Sequence, residues 1–495
     1  MRRGDHLAAI KAFPQWCAYN DAQLLDIVLA TDSERGNHFR PTRDLGTDEG
    51  NEEPPLLLTV PKDMVLSAEA IQQYAKVDKN FRDIYDAAGH QSHRMDTLLF
   101  LLLQYIYSSP DFQGHKGGAS SWTWYFDVLP SRIPVPTMWS DEQLIYLRGT
   151  SLEDAVPAKL QALGREFDLV RTETEKIPFW REFVHDKEII TAGDWIYLDA
   201  LYRSRTLELP RSGESMVPIL DMVNHSADAN AYFDETEDGE VRLHIRRGHS
   251  IRASLPEYSL TGGGDEITID YGQGKSAAEM LFSYGFIEPG TSAKSLMLQL
   301  EAMDDDPLAK AKLLLYHNHE GAPRLKIEDS DDGVPTWSAP FVYLMCLNED
   351  DGIEFRVLQT VDGDRQLKLF WQDEDVTAKV ADFESLIQGH ELEPIFRLRA
   401  TMVILSLLGA QMENLTAPID YAMEQSDPGS FSPTASILQL RGAELDLLSR
   451  TLAVLEEQRD GLVENDRVKA YLGSMEASPN EEVPGQPTNN EDDFS

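Results

Sequence analysis

The strongest constraint on this chain is a change of texture along its length. The run from Ser140 to Leu201 reads as helices, whereas from Ser215 to about Gly290 the pattern becomes short strands and turns, and from Ser295 to about Val468 it reads largely as helices again. In the middle stretch Val241-Arg-Leu-His-Ile alternates apolar and polar residues with the period of a half-buried strand, and Glu266-Ile-Thr-Ile-Asp-Tyr follows a Gly262-Gly263-Gly264 turn. Upstream, Leu56-Leu-Leu-Thr-Val60, bounded by Pro54-Pro55 and Pro61, reads as a further strand, and His93 to Tyr107 has the length and apolar density of a buried helix. Ser140 before Asp141 and Glu142 is an N-cap with an acidic first turn, and Trp180, Phe183, Ile189, Trp195 and Leu198 supply core to the helices that follow. Near the end, Leu445, Leu448, Leu452 and Leu455 form a stripe that buries one face of a long helix. From about residue 469 the chain is acidic, rich in Pro and Asn, and expected to be disordered.

Charge narrows the partners. The chain carries 44 basic against 85 acidic side chains, a formal net charge of −41. Such a field repels nucleic-acid phosphates and anionic lipid and attracts cationic partners, so a basic protein substrate is expected, with no direct nucleic-acid or membrane partner. Cys17 and Cys346 are the only cysteines, too few for a disulfide framework or a four-thiolate zinc site, which fits a reducing compartment, cytoplasmic or nuclear. The greasiest stretch, Thr97 to Tyr107, falls far short of the roughly 20 residues that span a bilayer. His317-Asn318-His319 has no companion Cys or His cluster, so no metal is expected. The triple glycine precedes a strand where a dinucleotide fingerprint would open a helix.

The chemistry concentrates in one constellation: Pro218-Ile-Leu-Asp221-Met-Val-Asn224-His225, then Asn230, then Gly264-Asp-Glu-Ile-Thr-Ile-Asp-Tyr271-Gly272, and finally Leu281-Phe-Ser-Tyr284-Gly285-Phe286. A polar Asp-x-x-Asn-His flanked by apolar residues must find hydrogen-bond partners, since an unsatisfied buried polar group costs roughly 1–3 kcal/mol. A bound polar ligand could supply them.

These segments resemble the SET-domain methyltransferases, in the branch of the Rubisco large-subunit and fungal ribosomal-protein lysine methyltransferases. Ser121-Trp-Thr-Trp-Tyr-Phe-Asp-Val-Leu-Pro130 with Trp139-Ser-Asp-Glu-Gln-Leu resembles the segment before that branch's helical insert, and Ser204-Arg205 the point where the domain resumes. The resemblance implies an α+β chain: a knotted, β-rich SET domain over residues 21–290 with a helical insert at about 141–200, after an N-terminal segment 1–20. A mostly helical substrate-binding-like domain over 291–468 and an acidic tail would follow.

It also implies an S-adenosyl-L-methionine-dependent protein-lysine N-methyltransferase acting, as a monomer, on a basic protein such as a ribosomal protein. Asn224 and His225 would hold the adenosine end of the cofactor, Asp221 would support them, Phe286 would cover the adenine, and Arg205 would lie near the methionine carboxylate. Tyr271 and Tyr284 match the tyrosines around the transferring methyl. Gly36, Asn37 and Phe39 match the N-terminal cofactor loop, which departs from the branch pattern: His38 stands where a second glycine belongs and Pro41 where alanine does. If that position requires left-handed backbone, His38 strains or crowds the pocket and weakens cofactor binding. Two alternatives remain. A histidine-directed branch carries asparagine two residues after its Ser/Thr-Arg arginine, where this chain has Leu207. A SET-fold binding module without turnover is the other.

Overall fold

The computed structural model describes residues 4–32, 36–46, 54–253, 265–272, 274–303, 305–330, 332–359, 365–418 and 433–477, so the triple glycine lies outside the described residues. The chain divides into two compact units, Met1–Lys294 with Ala417–Glu444, and Ser295–Thr416 with Leu445–Ser495.

The first unit is α+β. Its largest sheet is antiparallel in the order Gln23–Leu24, Leu56–Val60, Val241–Ile245 and Ala231–Glu235. Val241, Leu243 and Ile245 point inward and Arg242 outward, as the alternation requires, with a register shift at Leu243/His244. Short hairpins surround it, including Ile27–Asp32 with Gly36–Pro41 and Thr206–Leu209 with Gly213–Met216. Helix His93–Ser108 is capped by Ser92, whose side chain accepts from the Met95 N–H at 3.1 Å, and it is buried on nearly every face from Met95 to Tyr107. The stretch read as an insert folds as helices Asp141–Leu144, Leu152–Thr174, Pro178–Arg181 and Ala192–Arg205, the first closed by a Ser140/Gln143 capping box. Trp180, Trp195 and Leu198 are fully buried there. Helix His6–Tyr19 belongs to the same core, with Trp16 stacked on both Trp124 and Tyr125 at 5.2 Å.

The second unit is largely helical, as read for residues 295–468, with one correction. It holds two three-stranded antiparallel sheets, Ser295–Gln299, Arg324–Glu328 and Thr336–Ser338, and Ile353–Gln359, Arg365–Trp371 and Glu374–Asp375. Arg324-Leu-Lys-Ile-Glu buries Leu325 and Ile327 alone, a period of two that short acidic connections obscured. The expected disorder from residue 469 is also corrected: helix Asp466–Ala477 runs through it, Val468 packing on Ile395 and Leu398, while 478–495 lie outside the described residues. Helix Glu393–Thr416, mean hydropathy 1.3 over its most apolar window, is by length and composition able to cross a membrane, as core helices also are. Its Arg399 donates to Asp351 at 2.7 Å, and Phe396, Ile404 and Leu408 are buried.

Candidate active site

The site lies in the first unit, and its deepest part is a turn. Ile219 is fully buried yet adopts φ +77°, ψ −58°, a tight-turn geometry that a β-branched residue occupies at a cost of order 1–3 kcal/mol. The turn is held by Tyr125, whose hydroxyl accepts from the Ile219 N–H at 2.9 Å and donates to the Asp221 carboxylate. From the end of helix Ala192–Arg205, the Arg205 guanidinium donates through Nη1 to the Asp221 carbonyl at 2.8 Å and to its carboxylate at 3.2 Å. Burial pushes the Asp221 carboxyl up, and Arg205 and Tyr125 pull it back only part of the way. Burial works against the Arg205 charge too, but Asp221, Tyr125 and Tyr271 outweigh it and its pKa moves up. Arg205 Nε is buried and has no partner among the described residues.

The next segment, Asn224–His225, pairs in parallel with Thr268–Ile269, joining pieces of chain read as separate motifs. Asn224 Nδ2 donates to Glu266 at 2.7 Å, and Asn230 clips the same strand by donating to the Glu266 carbonyl at 2.7 Å and accepting from the Thr268 N–H at 3.0 Å. His225 Nδ1 accepts from the Tyr271 N–H at 3.1 Å, which leaves the proton on Nε2, facing Glu288 at 3.2 Å. Both nitrogens are therefore engaged, and the ring face is what His225 has left to present. The Tyr271 hydroxyl donates to the Val223 carbonyl at 2.8 Å.

Helix Ala277–Tyr284 brings the second tyrosine in. Gly285 ends it at φ +83°, and a Cβ there would meet the Pro134 carbonyl carbon at 2.6 Å, so only glycine lets the chain turn between Tyr284 and Phe286. The Tyr271 and Tyr284 rings lie 4.9 Å apart at 40°, His225 lies 5.1 Å from Tyr271, and Phe286 closes the group at 6.2 Å from His225 and 6.3 Å from Tyr284. Burial raises both tyrosine hydroxyls above their usual pKa. The Tyr284 hydroxyl has no hydrogen-bond partner among the described residues, and Lys275 Nζ sits 5.8 Å from its ring centre.

The N-terminal loop is a regular hairpin whose second strand, Gly36–Pro41, lies against the turn Leu220–Met222. Gly36 takes φ +66°. Asn37 accepts from Thr31 at 2.7 Å and donates to the Val128 carbonyl at 3.2 Å, and Phe39 is a fully buried core ring whose carbonyl accepts from Ile267 at 3.0 Å. These two side chains are spent on the fold. The strain expected at His38 is absent: it lies in paired strand outside the positive-φ residues, fully buried, Nδ1 3.0 Å from the Gly36 carbonyl and Nε2 accepting from Arg40 at 2.8 Å.

The structure thus joins Arg205 to Asp221, Asn224–His225 to Tyr271, Tyr271 to Tyr284, and Phe286 to His225 and Tyr284, with the Gly36–Phe39 strand beside the Asp221 turn. Sequence reasoning gave no role to Tyr125, Glu266 or Glu288. Tyr125 sits within the aromatic segment already noted and Glu288 two residues after Phe286, but nothing local marks them as partners of Asp221 and His225.

No family model matches the chain. It is 26% identical over 432 residues to SET domain-containing protein 8 of Schizosaccharomyces pombe, covering 85% of this chain and 90% of that protein. It is 28% identical over 245 residues to the ribulose-1,5 bisphosphate carboxylase/oxygenase large subunit N-methyltransferase of Nicotiana tabacum, spanning about half of each: 47% of this chain and 46% of the relative. Among solved structures, the SET domain of LSMT bound to lysine and AdoHcy superposes with a TM-score of 0.62 at 18% identity, covering 96% of this chain and 97% of that one. The fold is that of a SET-domain protein, as the resemblance in the sequence implied.

Proposed function

We propose that this SET-fold chain is an S-adenosyl-L-methionine-dependent protein-lysine N-methyltransferase acting on a basic protein, as a monomer in the cytoplasm or nucleus. The observation that carries the reading is the convergence of Tyr271, Tyr284, Phe286 and His225 on one aromatic enclosure next to the Arg205–Asp221 pair. Relatives named for N-methylation of a protein, and a neighbour of the same fold holding lysine and AdoHcy, support it.

The residues fit the cofactor. Arg205 Nε is a buried donor left over after Asp221 is satisfied, which suits an amino-acid carboxylate. The Asn224–His225 strand and Phe286 would hold the adenosine end. When bound, S-adenosyl-L-methionine supplies a methyl group on a sulfonium.

The rest is work for the chain's own residues. A free lysine ammonium has a pKa near 10.4, so the enclosure must favour the neutral amine. Desolvation by the tyrosine and phenylalanine rings does this, and the Lys275 ammonium, 5.8 Å from the Tyr284 ring centre, adds like-charge pressure in the same direction. With their pKa values raised, both tyrosines stay protonated and act as hydrogen-bonding groups, not as bases. Tyr271 is fixed by Val223, whereas the Tyr284 hydroxyl remains available to align the amine, and alignment lowers the barrier by several kcal/mol. The proton lost by the amine leaves to water.

Calorimetric titration with S-adenosyl-L-methionine, followed by incubation of the purified chain with the methyl-labelled compound and a cell extract, tests the reading. Saturable binding and label mapped to lysine are expected. Absence of binding would leave only a binding module, and label on histidine would replace lysine as the acceptor.

A further inference from the structure

In the helical stretch of the first unit a cavity of about 660 Å³ is unrelated to the site above. Its apolar wall is Phe112, Phe179 and Phe183. Phe179 and Phe183 lie 5.1 Å apart at 48°, Phe112 and Phe183 5.9 Å apart at 37°, and Phe112 and Phe179 6.3 Å apart at 67°. Phe183 is buried, but Phe112 and Phe179 remain half-buried with their surface on the cavity. Asp111 and Glu182, both exposed, belong to the lining as well.

The backbone is unusual where these groups meet. Glu182–Asp186 is a π-helical turn, with the Lys187 N–H donating to the Glu182 carbonyl at 3.0 Å, and such turns recur at functional sites. Glu188, just beyond, holds φ +47° without being glycine, a conformation that carries a cost. The result is that Lys187, also lining the cavity, stands over the Phe183 ring at 5.6 Å while donating to Glu182 at 2.5 Å. An ammonium held between an aromatic face and a carboxylate is the arrangement that recognises organic cations.

We propose that this cavity is a cation-binding site that takes a lysine side chain of a basic protein segment, Lys187 occupying the cation position until the partner displaces it. Asp111 and Glu182 at the rim and the net charge of −41 favour such a partner over an anionic one, and a norleucine peptide separates it from an apolar one. The site stands apart from Tyr271 and Tyr284 and does not depend on methyl transfer.

Fluorescence anisotropy at physiological ionic strength tests it with a labelled heptapeptide carrying one lysine between glycines, beside the same peptide with norleucine. The lysine peptide should bind and the norleucine peptide should not. Lys187→Ala should tighten binding at least threefold, while Lys11→Ala, which removes the same charge from the exposed face of helix His6–Tyr19, should leave it unchanged. Phe179→Leu should weaken binding about two- to fivefold, the worth of one cation–aromatic contact, and Phe179→Tyr should restore it. Equal binding of both peptides, no difference between Lys187→Ala and Lys11→Ala, or full affinity in Phe179→Leu would each overturn the proposal.

Discussion

Removing the two tyrosine hydroxyls one at a time separates a catalytic role from a packing role, because the structure gives them different partners. Tyr284→Phe deletes a hydroxyl with no hydrogen bond among the described residues, so stability should stay within about 0.5 kcal/mol of wild type. If that hydroxyl aligns the amine in the transition state, kcat falls by about 10²–10³, equivalent to roughly 2–4 kcal/mol, with little change in KM for S-adenosyl-L-methionine. Tyr271→Phe removes the donor to the Val223 carbonyl at 2.8 Å and strands an acceptor on a residue with 0% exposure. An unsatisfied buried carbonyl costs roughly 1–3 kcal/mol, or about 1–2 °C in Tm per kcal/mol for a unit of roughly 320 residues, in addition to any loss of rate. Steady-state kinetics with labelled cofactor and thermal melts of both variants make the comparison. Turnover within about threefold of wild type in both would refute the catalytic assignment. An equal Tm loss in the two would refute the partner assignment.

Other expectations follow from the same geometry. Asp221→Ala leaves the buried Arg205 guanidinium without its carboxylate and should cost about 3–5 kcal/mol in denaturant unfolding and abolish cofactor binding by calorimetry; wild-type affinity would contradict the ion-pair role. At the strained turn the usual ranking should invert: Ile219→Gly should unfold at a higher denaturant midpoint than Ile219→Ala, because glycine, although it empties one methyl more, alone accepts φ +77° without penalty. Glu444 is fixed by Ser151, accepting from its N–H at 3.1 Å and its hydroxyl at 2.5 Å, and burial pushes its carboxyl up to about 7. The folded state therefore holds a proton that the unfolded state releases near pH 4.5, so stability is full below that pH and falls as pH rises to about 7, by up to about 3 kcal/mol. Urea midpoints at pH 5 and pH 8 should show the fall in wild type and a smaller one in Glu444→Gln.

What could be read along the chain was whatever is encoded by neighbours. The buried helix from His93, the Ser140 cap, the alternating strand at Val241 and the Asp-x-x-Asn-His and Tyr-Gly motifs all announce themselves within a few residues, since periodicity and capping are local properties. Even local pattern failed where strands were short: Arg324–Glu328 alternates over five residues and was lost among helical surroundings. The departure at His38 shows a different limit. A glycine pattern suggests a backbone demand, but only the folded hairpin reveals that this position is ordinary strand and that Gly36 and Arg40 satisfy the imidazole. The hydrogen-bond and ion-pair partners across the chain were not legible. Tyr125 reaches Asp221 across 96 residues, His225 finds Glu288 through the parallel pairing of two-residue strands, and Ile219 is driven into a left-handed turn by contacts its own sequence does not contain. Local pattern determines which segments are helix, strand or motif, because side-chain spacing sets which face is apolar. Which polar groups satisfy one another, and which residue bears the strain, is decided only when distant segments close on a shared core, where several unmade hydrogen bonds together would cost more than one strained dihedral.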